Sequence, residues 1–326
     1  MADTQFRRLG DNIFLLDYKE DYGLDKLLSR GVKTVGGLML FVQKHFLLSK
    51  EDARIKIPDF GCTTFNSFTE EGDHIFSRNF DYRKAPCIVV WTSPENGYKS
   101  VGVTSADVLL CDNEILRKKG MQKHLLAAPF ACMDGVNEKG LSIAVVKLNT
   151  VSTKQETGKI PIITTVMIRA VLDKCATVEE AIELFSKYDM HDSLKVAYHY
   201  QITDASGKSA IIEYLDNEMT VYRADRERQY LLNFYHTPGR PINGSGYTRE
   251  KWLHEEFEET GLVMTEDRAM KILERCHLYY NHKKGYIVQS LWSAVYNCSK
   301  RTLSMCVSLD YSKKYTFGVD CREFDK

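Results

Sequence analysis

Apolar and polar positions change their period several times along the 326 residues. After an opening strand at 12–17, the stretches 24–28 and 35–48 carry apolar residues at helical spacing, so the first 60 residues read as mostly helical. The segment 50–58 is charged and ends in proline, which predicts an exposed link. From Cys62 onward the pattern turns to short β-type runs. Residues 62–69 are rich in Thr and Phe, Glu70-Glu71-Gly72-Asp73 is a turn signal, and 74–82 reads as the returning strand. Further strands are predicted at 87–93, 98–103 and 126–133. The turn Asp134-Gly135-Val136-Asn137-Glu138-Lys139-Gly140 then leads into a strand at 141–148.

A helical block follows. Pro161 occupies a favoured first-turn place and predicts a helix to about 174. Thr177-Val178-Glu179-Glu180 is a capping box for a second helix to about 188. Strands are expected at 197–203, 209–214 and 219–224, with turns at Asp204-Ala205-Ser206-Gly207 and Asp216-Asn217, and a further strand at 229–234. Helices at 248–259 and 266–278 precede a last hairpin, 302–309 with 315–319. Strands joined by hairpins, with helices grouped rather than alternating, predict an α+β class. Two antiparallel sheets would lie face to face with helices outside them.

Composition narrows the function classes. Lys and Arg number 44 against 44 for Asp and Glu, so no electrostatic argument favours nucleic acid or an anionic membrane. No apolar run approaches the ~18 residues of a spanning helix, and the N-terminus lacks a charged-then-apolar signal pattern. Nine cysteines, odd in number and without a CxxC pair, do not make a disulfide framework. They predict reduced thiols in a cytoplasmic protein. Cys276-His277 with His282 lacks the ligand count and spacing of a metal site, so neither metal nor cofactor is expected.

Cys62 stands apart because an Arg78-Asn79-Phe80-Asp81 run returns past it. If the hairpin is symmetric about the Glu71–Gly72 bond, paired residue numbers sum to 143. Cys62 then faces Asp81, with Cβ atoms about 5 Å apart. Strict alternation sends Arg78 to the opposite face unless a bulge or strand end intervenes. A thiol nucleophile also needs a proton acceptor, and no histidine has a specific claim; His74 falls near the turn. Were the Gly61–Cys62 bond cut, Cys62 would carry a free α-amine with a pKa near ~8, basic enough to take the thiol proton. Asp81 could hold the resulting ammonium and Arg78 the thiolate. The thiol could cut the bond itself by attacking the Gly61 carbonyl.

These stretches resemble the choloylglycine hydrolase and acid ceramidase-like group of N-terminal nucleophile (Ntn) amidases. Gly61-Cys62-Thr63 with Ser77-Arg78-Asn79-Phe80-Asp81 is similar to the family's Cys…Arg-Asn-x-Asp pattern. Asp134 to Leu141 resembles its DG-x-NEKGL turn, and Ile202 to Ser209 resembles the hairpin before its oxyanion asparagine. The resemblance implies a four-layer αββα sandwich. It further implies autoprocessing between Gly61 and Cys62, which divides the chain into a helical pro-segment 1–61, the small subunit after cleavage, and a catalytic domain 62–326.

By the same resemblance Cys62 is the nucleophile, with Arg78 and Asp81 as its neighbours. Asn233 falls at the oxyanion asparagine and Arg249, near a helix start in Ser245-Gly246-Tyr247-Thr248-Arg249, at a second catalytic arginine. Bile salt hydrolases carry a further asparagine where this chain has Lys147, a position credited with a backbone contribution to the oxyanion hole. They also have their cysteine almost at the start codon, whereas about 60 residues precede Cys62 here. An N-acyl amide substrate, hydrolysed through an acyl-enzyme, is therefore favoured over a conjugated bile salt. The alternatives are an acyltransferase of the penicillin type, a bile salt hydrolase or penicillin V acylase, an unprocessed binding homologue, and a redox sensor. Self-association into a homo-oligomer stays open.

Overall fold

A computed structural model describes residues 4–50, 52, 54–56, 61–111, 116, 122–192, 196–239 and 246–320. The chain opens with two strands, β1 (Gln5–Arg8) and β2 (Ile13–Tyr18), and two helices, α1 (Leu24–Arg30) and α2 (Val35–His45). Four strands follow: β3 (Gly61–Phe68), β4 (His74–Arg83), β5 (Cys87–Thr92) and β6 (Ser100–Ser105). A short helix, α3 (Gln122–Leu125), and a 3-10 turn at Ala128–Ala131 lead to β7 (Asp134–Asn137), β8 (Ser142–Leu148) and β9 (Ile160–Ile163). Next come α4 (Thr164–Lys174) and α5 (Val178–Ser186), then β10 (Tyr188–His191), β11 (Ala197–Thr203), β12 (Lys208–Leu215), β13 (Glu218–Asp225) and the two-residue β14 (Tyr230–Leu231). The helices α6 (Gly246–Thr260) and α7 (Glu266–Arg275) precede β15 (Tyr279–Asn281), β16 (Ile287–Asn297), β17 (Thr302–Val307) and β18 (Tyr315–Gly318).

Nine strands form one sheet in the order β1-β2-β5-β6-β7-β8-β11-β12-β13, and seven form the other, β14-β3-β4-β16-β17-β18 with β15 beside β16. Pairing within them is antiparallel except between β2 and β5. The expected α+β sandwich is therefore present, with one parallel neighbour that the hairpin argument does not supply. β3 packs across to β8, α4 lies on β7 and β8, α5 on β11 and β12, and α7 on β4 and β16. The main apolar cluster joins the two sheets and the helices on the first. A second cluster, with Phe65, Leu253, Phe257 and Leu273, fills the space under α6 and α7.

Local chemistry explains where periodicity misleads. The segment expected as a strand at 126–133 instead follows α3 as a turn and the 3-10 turn, because Pro129 removes a ladder donor and suits a first helical turn. Pro161 sits in β9 and α4 begins at Thr164; β9 pairs only with β10, so a proline without a donor is tolerated there. Thr177 caps α5 as expected, its hydroxyl accepting from Glu180 N. The predicted strand at 229–234 shortens to β14. β16, where no element is predicted, is a central strand of the second sheet, between β4 and β17. Of the link expected at 50–58, residues 51, 53, 57 and 58 lie outside the described residues; Arg54 is exposed and Ile55 buried. The opening strand expected at 12–17 is β2, wholly buried within the first sheet, and the unpredicted β1 precedes it.

The turn after β7 is fixed by Asn137, whose Oδ1 accepts from Lys139 N and Leu141 N, and by Gly140 at φ 82°. A Cβ at 140 would come within 2.2 Å of the Cys298 carbonyl oxygen. Gly140→Ala combines a left-handed backbone with a backbone clash, so it should lower unfolding free energy by about 2 kcal/mol or more. Urea unfolding of the two proteins measures this.

Candidate active site

The register of β3 against β4 decides what shares a face with Cys62. Thr69 N donates to Asp73 O and Gly72 N to Thr69 O, so five residues, 69–73, form the reversal and its centre is Glu71 itself. Paired numbers therefore sum to 142: Cys62 pairs with Phe80, Thr64 with Arg78 and Gly61 with Asp81. This corrects the expected pairing of Cys62 with Asp81 by one residue. The shift reverses both consequences, because a one-residue slip moves every side chain to the other face. Arg78 lies on the Cys62 face without any bulge, and Asp81 lies on the opposite one. The irregularity falls in β16 instead, between Ser290 and Trp292, opposite Asp81 and Phe80.

On the first face, between the sheets, Arg78 Nη2 lies 2.8 Å from Cys62 Sγ and 3.4 Å from Val145 O. Its Nη1 pairs with Asp134, the first residue of β7. Trp292 Nε1 donates to the same carboxylate at 3.0 Å, and the Tyr296 hydroxyl donates to its other oxygen. The guanidinium also lies over the Phe80 ring, 4.9 Å from its centroid. Arg78 is fully buried, so its charge is tolerable only because this set of partners surrounds it.

The other face is organised by Arg249, in the first turn of α6. Its Nη1 donates to Cys62 O at 3.0 Å, Thr63 Oγ1 at 2.9 Å and Asp81 Oδ2 at 2.8 Å, while Nη2 donates to Asn233 Oδ1 at 2.9 Å. Ser290 Oγ completes Asp81 with a bond to Oδ1 at 2.6 Å. Asn233 follows β14 and reaches Cys62 through the backbone: Cys62 N donates to Asn233 Oδ1 at 3.0 Å. Its Nδ2 donates to Lys147 O at 2.8 Å. All five residues singled out in the sequence thus meet around one peptide unit. Gly61 belongs there too, since a Cβ on it would lie 3.1 Å from Asp81 Oδ2. Asp59, Phe60 and Ser245 lie outside the described residues.

This arrangement holds the sulfur as a thiol. Burial pushes the Cys62 thiol up to about 11, with Arg78 pulling it down and Asp81 adding to the rise. Sγ is 3.5 Å from Val145 O, a carbonyl that cannot act as a base at neutral pH. The Arg78 guanidinium is held charged: burial opposes its protonation, but Cys62 and Asp134 more than offset this. Four partners, Asp134, Ser290, Trp292 and Tyr296, were not marked by the sequence. Asp134 stood only as the head of a turn, and the other three sit on the unpredicted β16. β16 is buried at every position after Ile287, so it carries no alternation that would have marked it as a strand.

The model of the linear amide C–N hydrolases, choloylglycine hydrolase family, matches residues 62–229. The chain belongs to this family. Penicillin V acylase from Pectobacterium atrosepticum is 33% identical over 102 residues, which cover 28% of this chain. The match spans 27% of the length of that curated relative. Two structures of variants of the conjugated bile acid hydrolase from Clostridium perfringens share the fold, at TM-scores of 0.60 and 0.59. Sequence identities to them are 16% and 15%, and each alignment covers 81% of this chain and 94% of the other. The family match begins at Cys62, the residue on which the polar groups of both β3 faces converge.

Two outcomes are expected of this choloylglycine hydrolase family member. Alkylation of Cys62 should be slow at pH 7 and accelerate about tenfold per pH unit toward 11, because only the thiolate reacts. Peptide mass spectrometry after timed iodoacetamide labelling follows it, and Arg78→Met should move the midpoint higher. Arg249→Met should cost about 3–5 kcal/mol of stability by leaving Asp81 buried without its cation, read from urea unfolding.

Proposed function

We propose that this chain is an autoprocessed cysteine amidase of the Ntn type, acting on a linear N-acyl amide. In the first step Cys62 Sγ attacks the Gly61 carbonyl carbon, the C–N bond to Cys62 breaks, and the acyl group moves from nitrogen to sulfur. Water then hydrolyses the thioester, leaving a carboxylate on Gly61 and an α-amine on Cys62. In turnover that amine takes the thiol proton, the thiolate attacks the substrate carbonyl, and the proton passes to the departing amine. A second water releases the acid from the acyl-enzyme.

The observation carrying this reading is the double hold on Cys62: Sγ at 2.8 Å from Arg78 Nη2 and its backbone N at 3.0 Å from Asn233 Oδ1. Only a reaction that uses both the sulfur and the nitrogen of one residue calls for both. Asp81 and Arg249 have roles in the same scheme. Asp81, beside Gly61, would face the new ammonium once Gly61 withdraws, and Arg249 fixes Asp81 and Asn233 together. Asn233 Nδ2, now on Lys147 O, is the side-chain donor available to the oxyanion. The eight described cysteines are free and buried, which supports a reducing, cytoplasmic setting.

The test compares wild type with Cys62→Ala on a panel of N-acyl amides that includes penicillin V and a glycine-conjugated bile acid. Wild type should release acid from at least one member and show two chains by intact mass. Cys62→Ala should run as one chain near 37.5 kDa and lose activity by about 1,000-fold or more. Equal rates for the two proteins would overturn the reading.

A further inference from the structure

A third buried ion pair reaches the site through the backbone. His199 in β11 and Glu213 in β12 are fully buried, and Nδ1 lies 3.0 Å from Oε1. On its other side His199 Nε2 is 2.9 Å from Leu232 O, which can only accept. Glu213 is surrounded by donors: Oε1 takes His236 N at 2.6 Å, and Oε2 takes Thr237 N at 3.0 Å and Thr237 Oγ1 at 2.7 Å. Burial pushes this carboxyl up, yet His199 and these donors outweigh it and hold the pKa down at about 2. With an ionised carboxylate on one nitrogen and a carbonyl on the other, both ring nitrogens must donate. The hydrogen-bond geometry thus assigns a proton to each ring nitrogen.

The groups it holds bracket one residue. Residues 232–237 are neither helix nor strand, and Asn233 lies among them. Irregular backbone has no ladder to fix it, so side-chain bonds must set its course. We propose that the His199–Glu213 ion pair is the positioning device for Asn233. Its ring grips Leu232 on one side, and its carboxylate grips His236 and Thr237 on the other. His199 touches neither Cys62 nor substrate; it acts through Asn233. The catalytic consequence rests on the amidase reading, but the placement of Asn233 does not.

The test therefore separates placement from chemistry. In the Cys62→Ala protein at pH 7, nitrogen-15 NMR should show both His199 ring nitrogens protonated. His199→Gln and Glu213→Gln in that background should speed solvent exchange of the Asn233 side-chain amide by about tenfold or more. In the protein with Cys62 intact, the same changes should lower kcat for an N-octanoyl 4-nitroanilide by about tenfold to a hundredfold with KM within about twofold, since misplacement by an ångström acts at this scale. A neutral His199 ring, or Asn233 exchange unchanged in both variants, would overturn the proposal. If His199→Gln fails to fold, the wild-type ring and Glu213→Gln decide. Faster exchange with an inactive wild type would support the clamp and remove the amidase reading.

Discussion

The reversal at residues 69–73 governs what the candidate site contains. An odd number of loop residues centres the hairpin on an atom-bearing residue rather than on a bond, and every pair along β3 and β4 follows from that. Cys62 and Arg78 then fall on the face toward the first sheet, while Gly61 and Asp81 fall toward α6 and β16. A reversal one residue shorter or longer would separate the sulfur from its guanidinium. The two faces of one short strand thus hold different halves of the chemistry, sulfur on one and backbone nitrogen partners on the other.

Around that strand the interior is unusually rich in charge. Arg78 with Asp134, Arg249 with Asp81, and His199 with Glu213 are three ion pairs with nearly no exposure to water. Apolar replacements of equal volume would often be as stable, so such pairs are poor evidence for stability as such. What they supply here is direction. Arg78–Asp134 ties strands of both sheets, Arg249–Asp81 a sheet and a helix, and His199–Glu213 two neighbouring strands and the irregular segment 232–237. Arg249 alone reaches β3, β4 and the segment after β14.

Much of this was legible in the sequence, for identifiable reasons. Hairpins with strong turn chemistry, such as Asp204 to Gly207 between β11 and β12, gave strands within a residue of their observed bounds. The five site residues were recognisable because they sit in short motifs. Their mutual arrangement was not, since it depends on whether a turn has four residues or five, which Glu70-Glu71-Gly72-Asp73 does not disclose. β16 escaped because its buried run lacks the alternation of a half-exposed strand; it is covered on both faces. The His199–Glu213 pair was equally hidden, for its meaning lies in the backbone of a segment 33 residues further on.

The placement of β2 has a consequence for how this molecule must be made. β2 is hydrogen-bonded between β1 and β5, one strand in from the edge of the nine-stranded sheet. A chain severed after Gly61 would keep that strand as a non-covalent guest, so folding would change molecularity at the moment of scission. Before it, assembly of the sheet is a single-chain event independent of concentration. Afterwards, loss of the structure would release two polypeptides that must find each other again, and recovery would depend on their concentrations. Synthesis as one chain would then act as an internal template, used once, and the mature protein would persist by the slowness of its unfolding.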